Sequence, residues 1–115
     1  MDDTQHDPQL LKGVLSLLLL RLLAEQESYG YEIVQRIHAL GLPGVSEGTV
    51  YPALARLERE RRLRSRLVAS TSGPARKYYS PTPAGLTALA QSTDDWRRLV
   101  AVVDSALATP MTEGA

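Results

Sequence analysis

Residues 41–60 read GLPGVSEGTVYPALARLERE, and this stretch combines a turn with the start of an amphipathic helix. The Gly-Leu-Pro-Gly segment favours a turn by its composition. Ser46 follows it and can cap a helix, because its side-chain oxygen can accept a hydrogen bond from a backbone amide two or three residues on. Apolar residues then recur at spacings of three and four, at Val50, Ala53, Leu54 and Leu57. That spacing predicts a helix from Ser46 to about Glu60.

Two further helices are predicted on the N-terminal side of this turn. Leucines surround most of the cylinder over Gln9–Glu25, and Pro8 suits the first turn, which together predict a buried helix. After a break at residues 26–28, the segment Tyr29–Leu40 carries apolar residues at helical spacing. The turn at residues 41–44 therefore separates a second helix from a third.

A hairpin and a last helix are predicted on the C-terminal side. Residues 63–70 alternate in part between polar and apolar, residues 71–74 favour a turn, and residues 75–80 suit a second strand. Thr82 and Pro83 suit the cap and the first position of a long helix. Three helices, a hairpin and a helix are the order of a winged helix-turn-helix with an appended helix. The predicted fold is mainly α, with a small β-hairpin wing and a C-terminal dimerisation helix.

Charge is neutral over the 115 residues but uneven along the chain. Eight of the thirteen basic residues lie between Arg56 and Lys77, where the acidic residues are only Glu58 and Glu60. A local positive surplus can attract phosphate even when the net charge is zero.

Composition argues against several other classes of protein. The absence of cysteine excludes disulfides, thiolate nucleophiles and cysteine-ligated metals. The acidic N-terminus is unlike a secretory signal, and Lys12 and Arg21 interrupt the leucine-rich stretch, so a cytoplasmic protein that does not contact a membrane is expected. The two histidines, His6 and His38, have no evident catalytic partner. With no triad, metal cluster or phosphate loop, the sequence predicts no enzyme, no cofactor and no metal site.

Three segments resemble the PadR family of bacterial transcriptional regulators, which are mostly repressors. They read YGYEI at residues 29–33, SEGTVYPALARLE at residues 46–58 and RKYY at residues 76–79, with Thr82 and Gly85 following. The similarity extends over about residues 10–107, and the single last helix is similar to the family's shorter subfamily. The resemblance implies that the partner is double-stranded DNA.

The resemblance also implies a set of DNA contacts. It places the third helix in the major groove and the wing on flanking backbone or minor groove. The implied contact residues are Ser46, Thr49, Tyr51 and Arg56 on the third helix and Arg76 and Lys77 on the wing. Glu47 and Gly48 on the third helix complete the predicted set, and Lys12 near the start of the first helix is a further candidate for a phosphate contact. Hydroxyl groups can donate to phosphates or base edges, and basic groups can neutralise phosphates. The expected division is a flexible tail (1–8), a winged helix-turn-helix DNA-binding domain (9–81), a dimerisation helix (82–108) and a flexible tail (109–115).

Some of these residues also have purely structural explanations. Ser46 is sufficient as a helix cap, Tyr51 can pack against the wing, and the arginines after the third helix can form a solvated face. Gly48 disfavours a helix and is expected to allow close approach, by DNA or by another helix. Tyr78 and Tyr79 should point to opposite faces of their strand, one buried and one exposed.

The last helix carries a predicted dimer seam. Residues at alternating intervals of four and three, the spacing of a coiled coil, are Leu89, Thr93, Trp96, Val100, Val103 and Leu107. The family resemblance implies that this helix packs on the first helix of the other subunit and covers its apolar belt, including Leu15 and Leu19. It further implies that Trp96, with Val100 nearby, stacks on a small aromatic effector at the dimer centre. Ordinary interface packing is the alternative for Trp96.

The leading hypothesis is a homodimeric repressor of an inverted-repeat operator that a small molecule releases. One alternative is a winged-helix protein-interaction module without DNA binding, which the zero net charge favours. A second is a ligand-binding dimer that has lost operator recognition. Steep loss of affinity with salt would favour DNA, because each neutralised phosphate contributes about −0.9 to the slope.

Overall fold

The computed structural model describes residues 7–112 and confirms the predicted fold class. The predicted tails at 1–8 and 109–115 lie partly outside that range, and His6 lies wholly outside it. The described elements, in chain order, are α1 (Pro8–Glu25), β1 (Ser28–Tyr29), α2 (Gly30–Leu40), α3 (Glu47–Arg59), β2 (Leu63–Ser70), β3 (Gly73–Pro81) and α4 (Pro83–Ala108).

Capping side chains fix the starts of α1 and α4. Asp7 accepts a hydrogen bond from the backbone amide of Gln9 at 2.8 Å, so α1 begins at Pro8, one residue before the predicted start. Thr82 accepts from the amide of Gly85 at 3.0 Å, which confirms the predicted cap of α4. A capped first turn satisfies amides that have no partner inside the helix.

The sheet contains one strand more than the predicted hairpin. Its order is β1-β3-β2, and both pairs of neighbours are antiparallel. The added strand, β1, pairs Ser28 with Tyr79 and Tyr29 with Tyr78. The sequence reading treated residues 26–28 as a break and began α2 at Tyr29. The structure corrects both points, because Tyr29 is paired in the sheet and α2 begins at Gly30.

Arg36 ties β1 to the end of α1. Its guanidinium donates to the carbonyl oxygens of Leu22 and Gln26 at 2.8 and 3.0 Å and to the hydroxyl of Ser28 at 2.9 Å. These carbonyls belong to the last turn of α1 and to its C-cap, and the Leu22 carbonyl also accepts the backbone amide of Gln26 at 3.1 Å. The arginine thereby holds the α1 terminus against the short strand that supports the wing.

The core lies between the three N-terminal helices and the base of the sheet. Its completely or almost completely buried members are Leu19, Leu20, Leu23, Ile33, Ile37, Val50, Leu54, Leu57 and Leu63. Leu15 is also buried. The expectation that a partner subunit covers Leu15 and Leu19 is therefore wrong, because the chain's own α1, α2 and α3 form one cluster around them.

Most of α4 extends away from this core. Its buried residue is Gly85, close to its start, and Ala88 and Leu89 pack partly against the core. Farther along the helix large apolar side chains are exposed, at Trp96, Leu99, Val102, Val103 and Leu107. Within residues 7–112, no helix has the length and apolar character needed to cross a membrane.

Candidate nucleic-acid interface

One side of α3 is open to solvent along its whole length. Gly48, Pro52, Ala55 and Arg59 are exposed and follow at intervals of four, three and four, which places them on one stripe of the helix. The opposite side, with Val50, Leu54 and Leu57, is fully buried. Small side chains therefore occupy most of the outward stripe, and a charged group closes its C-terminal end.

The N-terminus of α3 differs from those of α1 and α4, because no side chain caps it. Ser46 occupies the cap position, but its hydroxyl lies 3.3 Å from the Thr49 hydroxyl and accepts from no backbone amide. The predicted capping bond is therefore wrong. The first turn, with Ser46, Glu47, Gly48 and Thr49, is exposed, and an uncapped helix start presents amides and a positive dipole end to solvent.

Gly48 stands clear of the rest of the chain. A Cβ atom built there would meet only the Ser46 hydroxyl, at 3.6 Å. Within the described residues, no neighbouring helix therefore requires a glycine at this position. The structural alternative considered for Gly48 was close approach by another helix, and no helix within residues 7–112 approaches it.

Tyr51 lies on one flank of α3 and covers the start of α2. Its ring is so close to Gly30 that a Cβ at position 30 would overlap the ring edge. Tyr51 is 41% exposed. Partial burial and, secondarily, the negative charge of Glu47 raise the pKa of the Tyr51 hydroxyl further above neutrality, so the group is protonated and can donate a hydrogen bond.

The wing brings Arg76 and Lys77 to the same flank. Together with four tyrosines, including Tyr51, and with Gly30 they line a cleft of about 510 Å³ between α2, α3 and β3. The Arg76 guanidinium stacks 4.4 Å from the ring centre of Tyr29, which in turn makes an edge contact with Tyr78 at 5.3 Å. As predicted, Tyr79 is buried and its neighbour Tyr78 is more exposed. Stacking holds Arg76 in place without neutralising it.

Lys77, by contrast, is paired with an acid. Its ammonium group lies 2.8 Å from a carboxylate oxygen of Glu58, whose other oxygen accepts from Ser65. Hydrogen bonds from Lys77 and then Ser65 lower the pKa of Glu58 below its ordinary value of 4.5. The same Glu58 bond raises the pKa of Lys77. This pair links α3 to the wing strand β3.

The Glu58 network gives a prediction for acid stability. A carboxylate with a lowered pKa in the folded state stabilises the protein above pH 4.5, and this contribution is lost as the pH falls through the lowered value. Glu58→Gln should therefore lower the free energy of unfolding by about 1 kcal/mol at neutral pH. The difference from wild type should vanish in strong acid. Urea unfolding at several pH values checks this, and a difference that stays constant with pH would contradict it.

Lys12, Thr49 and Arg56 lie on the other flank of α3. Together with Arg59 they border a cavity of about 710 Å³ between α1 and α3. Arg56 donates to the Ser16 hydroxyl at 2.7 Å, so its side chain points toward α1 and away from the cleft that contains Tyr51. Six of the nine predicted contact residues thus lie on the two sides of α3, three on each side. The other three, Ser46, Glu47 and Gly48, lie at the exposed start of α3 between the two groups.

The positive surplus of this region is partly neutralised. Besides Lys77, Arg66 pairs with Glu27 through two bonds of 2.6 and 2.8 Å, and Arg56 and Arg62 lie near Glu60 at 4.0 Å. Among the described residues, Arg59, Arg61, Arg64 and Arg76 form no ion pair. Sequence reasoning did not include Arg59 among the candidate contact residues, although its spacing from Gly48 and Pro52 places it on the same outward face.

The structure also shows the surroundings of the residues considered for effector binding and catalysis. Trp96 is 45% exposed on α4, and Val100, one turn later, is half-buried. His38 lies 2.6 Å from the carbonyl oxygen of Val45 and so fastens α2 to the segment before α3. Residues 7–112 contain no group of three or more histidine or acidic side chains that could hold a metal ion.

Comparisons with known proteins agree with this architecture. Residues 19–91 match the model of the transcriptional regulator PadR-like family. A PadR-like transcriptional regulator from Bacillus cereus is 37% identical, with a TM-score of 0.79 over 89% of this chain and 99% of that one. A PadR family regulator from Eggerthella lenta is 33% identical, with a TM-score of 0.81 over 89% and 88%. An uncharacterized protein from Lysinibacillus sphaericus is 30% identical, over 83% of this chain and 89% of that protein.

The family model spans well over half of the chain, and the two solved relatives share the fold over 89% of it. An exposed helix start flanked by a basic wing is what a regulator of transcription presents to its target. The protein belongs to the PadR-like family of transcriptional regulators.

Proposed function

We propose that the protein is a homodimeric transcriptional repressor that binds an inverted-repeat operator through α3 and the wing. The observation that carries the proposal is the convergence of Tyr51 and Arg76 beside the uncapped start of α3. A hydroxyl donor, an unpaired guanidinium and free helix amides all suit phosphate oxygens. The exposed glycine at position 48 lets the α3 backbone approach a groove.

Two copies of the chain suit an operator of this kind. A two-fold dimer presents two recognition helices, and a spacing of about 34 Å between them matches one turn of DNA. Support for a dimer comes from α4, where Trp96, Leu99, Val102, Val103 and Leu107 expose a nearly continuous apolar face. Faces of this kind are typical of helix pairing. Leu10 and Leu17 on α1 are candidates for the surface that α4 of the other subunit covers.

A small aromatic molecule at the dimer seam is proposed to release the operator. Trp96 is 45% exposed and therefore accessible for stacking, and Val100 adds an apolar contact one turn away. By linkage, the effector weakens DNA binding by the same factor by which bound DNA weakens binding of the effector.

Fluorescence anisotropy with the DNA upstream of the protein's own gene tests the proposal. Tyr51→Ala and Arg76→Ala should each weaken binding by about tenfold, roughly 1.4 kcal/mol, because each removes one contact from both half-sites. Arg97→Ala, which removes an exposed arginine of α4 outside both flanks of α3, is the matched control and should bind within twofold of wild type.

If the protein binds random DNA as tightly as the upstream DNA, its operator lies elsewhere. The operator should then be selected from a library of randomised sequences. Failure of that selection would contradict the proposal and favour the protein-interaction module. Arg66 on β2 and Lys77 on β3 are each paired with a glutamate, and such neutralised cations suit a protein partner better than they suit DNA. Equal binding by wild type, Tyr51→Ala and Arg76→Ala would place the DNA contact elsewhere.

A further inference from the structure

The cavity between α1 and α3 has the size and lining of a small-molecule site. Its volume of about 710 Å³ lies in the range of about 300 to 1,000 Å³ that such sites occupy. Its buried wall is apolar and consists of Leu15, Val45 and Ala53, each at most 5% exposed. Leu11 and Leu42 extend this wall and are half-buried.

Charge around the cavity has one sign. Lys12, Arg56 and Arg59 line it, and among residues 7–112 no acidic residue does. Arg56 uses one nitrogen for Ser16 and approaches Glu60 at 4.0 Å, which leaves other N–H groups for a ligand. Lys12 and Arg59 make no ion pair among residues 7–112. Cationic groups beside an apolar wall are complementary to a molecule with an apolar body and one anionic end.

We propose that this cavity binds an amphipathic monocarboxylate and that its occupation opposes DNA binding. The apolar body covers Leu15 and Ala53, and the carboxylate meets Lys12, Arg56 and Arg59. The site is separate from the seam around Trp96, since no residue of α4 lines it. The regulatory half of this proposal rests on the proposed DNA-binding function, whereas the binding half does not.

Helix geometry argues that a small molecule, rather than the partner's α4, occupies the cavity. Lys12 and Leu15 line it, and the candidate dimer residues Leu10 and Leu17 are each two positions away. Two positions correspond to about 200° around a helix, so those leucines lie on the far side of α1. A partner helix seated on Leu10 and Leu17 therefore leaves the cavity open.

Occupation of the cavity acts on DNA binding through shared residues. Thr49 and Pro52 belong both to the cavity wall and to the exposed part of α3, and Arg59 closes its outward stripe. A bound carboxylate neutralises cations that would otherwise release counterions at phosphates. The ligand and DNA then compete for the same charges, and each weakens the other's binding equally.

Titration calorimetry of the DNA-free protein tests the binding half, with octanoate as the probe and 1-octanol as its neutral match. Octanoate should bind once per chain and at least fivefold more tightly than octanol at low salt. Ala53→Leu, which extends a larger side chain from the apolar wall into the cavity, and Arg59→Gln, which removes a cation, should each weaken octanoate binding at least fivefold. Arg62→Gln and Trp96→Ala should stay within twofold, because neither residue lines the cavity.

The outcomes distinguish failure of the cavity proposal from failure of the DNA-binding proposal. No octanoate binding, or binding weakened only by Trp96→Ala, overturns the cavity proposal and leaves the DNA-binding proposal intact. If Ala53→Leu does not fold, Arg59→Gln and the octanol comparison still decide the result. In a second measurement, saturating octanoate should weaken operator binding at least fivefold in wild type and less in Arg59→Gln. Unchanged operator affinity with octanoate bound would overturn the regulatory half.

Discussion

Gly85→Ala is expected to lower the free energy of unfolding by about 3 kcal/mol, because the added methyl group has no space. A Cβ at position 85 would overlap the carbonyl oxygen of Arg62 and lie 2.9 Å from its carbonyl carbon. These are backbone atoms and cannot rotate away as a side chain can. The melting temperature, measured at fixed protein concentration, should fall by about 10 °C or more.

The contact at Gly85 is accompanied by two hydrogen bonds from Thr82, and together they join the start of α4 to the turn between α3 and β2. Thr82 donates from its hydroxyl to the carbonyl of Arg61 at 2.6 Å and from its amide to the carbonyl of Arg62 at 3.1 Å. Arg61 has φ of 61°, in the left-handed region, and this turns its carbonyl and the next one toward α4. A displaced α4 therefore loses both hydrogen bonds as well.

Gly73→Ala is the matched control for this prediction. It adds the same methyl group at an exposed position where a Cβ would meet nothing within 4 Å. Its free energy of unfolding should stay within about 0.5 kcal/mol of wild type. Equal stability of the two variants would show that α4 does not dock on Arg62 as described.

Gly48→Ala should weaken operator binding by about thirtyfold while leaving the fold intact. In free protein the added methyl group meets only the Ser46 hydroxyl, and alanine favours a helix over glycine. On DNA the same methyl group would hold the start of α3 away from the groove. This should reduce the binding free energy by about 1 kcal/mol in each half-site. Anisotropy titration measures the affinity.

The stability of Gly48→Ala serves as the control for its DNA affinity. The free energy of unfolding should be equal to that of wild type or slightly higher, since no packing is disturbed. Lower affinity with lower stability would mean that the variant damages α3 itself. Unchanged affinity with unchanged stability would mean that the start of α3 does not approach DNA closely.

The sequence predicted the order of helices and the hairpin because these follow from local patterns. The spacing of Val50, Leu54 and Leu57 describes the buried side of α3, and Thr82 caps α4 as expected. β1 could not be predicted in this way. A two-residue strand has no period of its own, and its pairing with Tyr78 and Tyr79 depends on where β3 lies.

Other differences also arise from contacts that are distant in sequence. Leu15 and Leu19 belong to an apolar belt that surrounds α1, and only the packing of α2 and α3 decides which part of it a single chain buries. Ser46 has the right residue type and position for a cap, but its hydroxyl pairs with Thr49 instead. The sequence suggested that Lys77 is an unpaired cation, but in the fold its ammonium group is paired with Glu58.

The candidate interface was identified largely by resemblance and only in part by physical reasoning. Residue types indicated Tyr51 and Arg76, but their meeting in one cleft depends on the angle between α3 and the wing. The cavity between α1 and α3 left no signal in the sequence, because Lys12 and Arg59 lie far apart in the chain.

The central claim, that α3 and the wing bind DNA, is tested most directly by the salt dependence of operator affinity. If each subunit places Lys12, Arg59 and Arg76 on phosphates, six neutralised phosphates predict a slope of log K against log salt of about −5. Arg76→Ala should reduce its magnitude by about 2, because it removes one phosphate contact from each half-site. A slope near zero, or one that Arg76→Ala leaves unchanged, would contradict the claim.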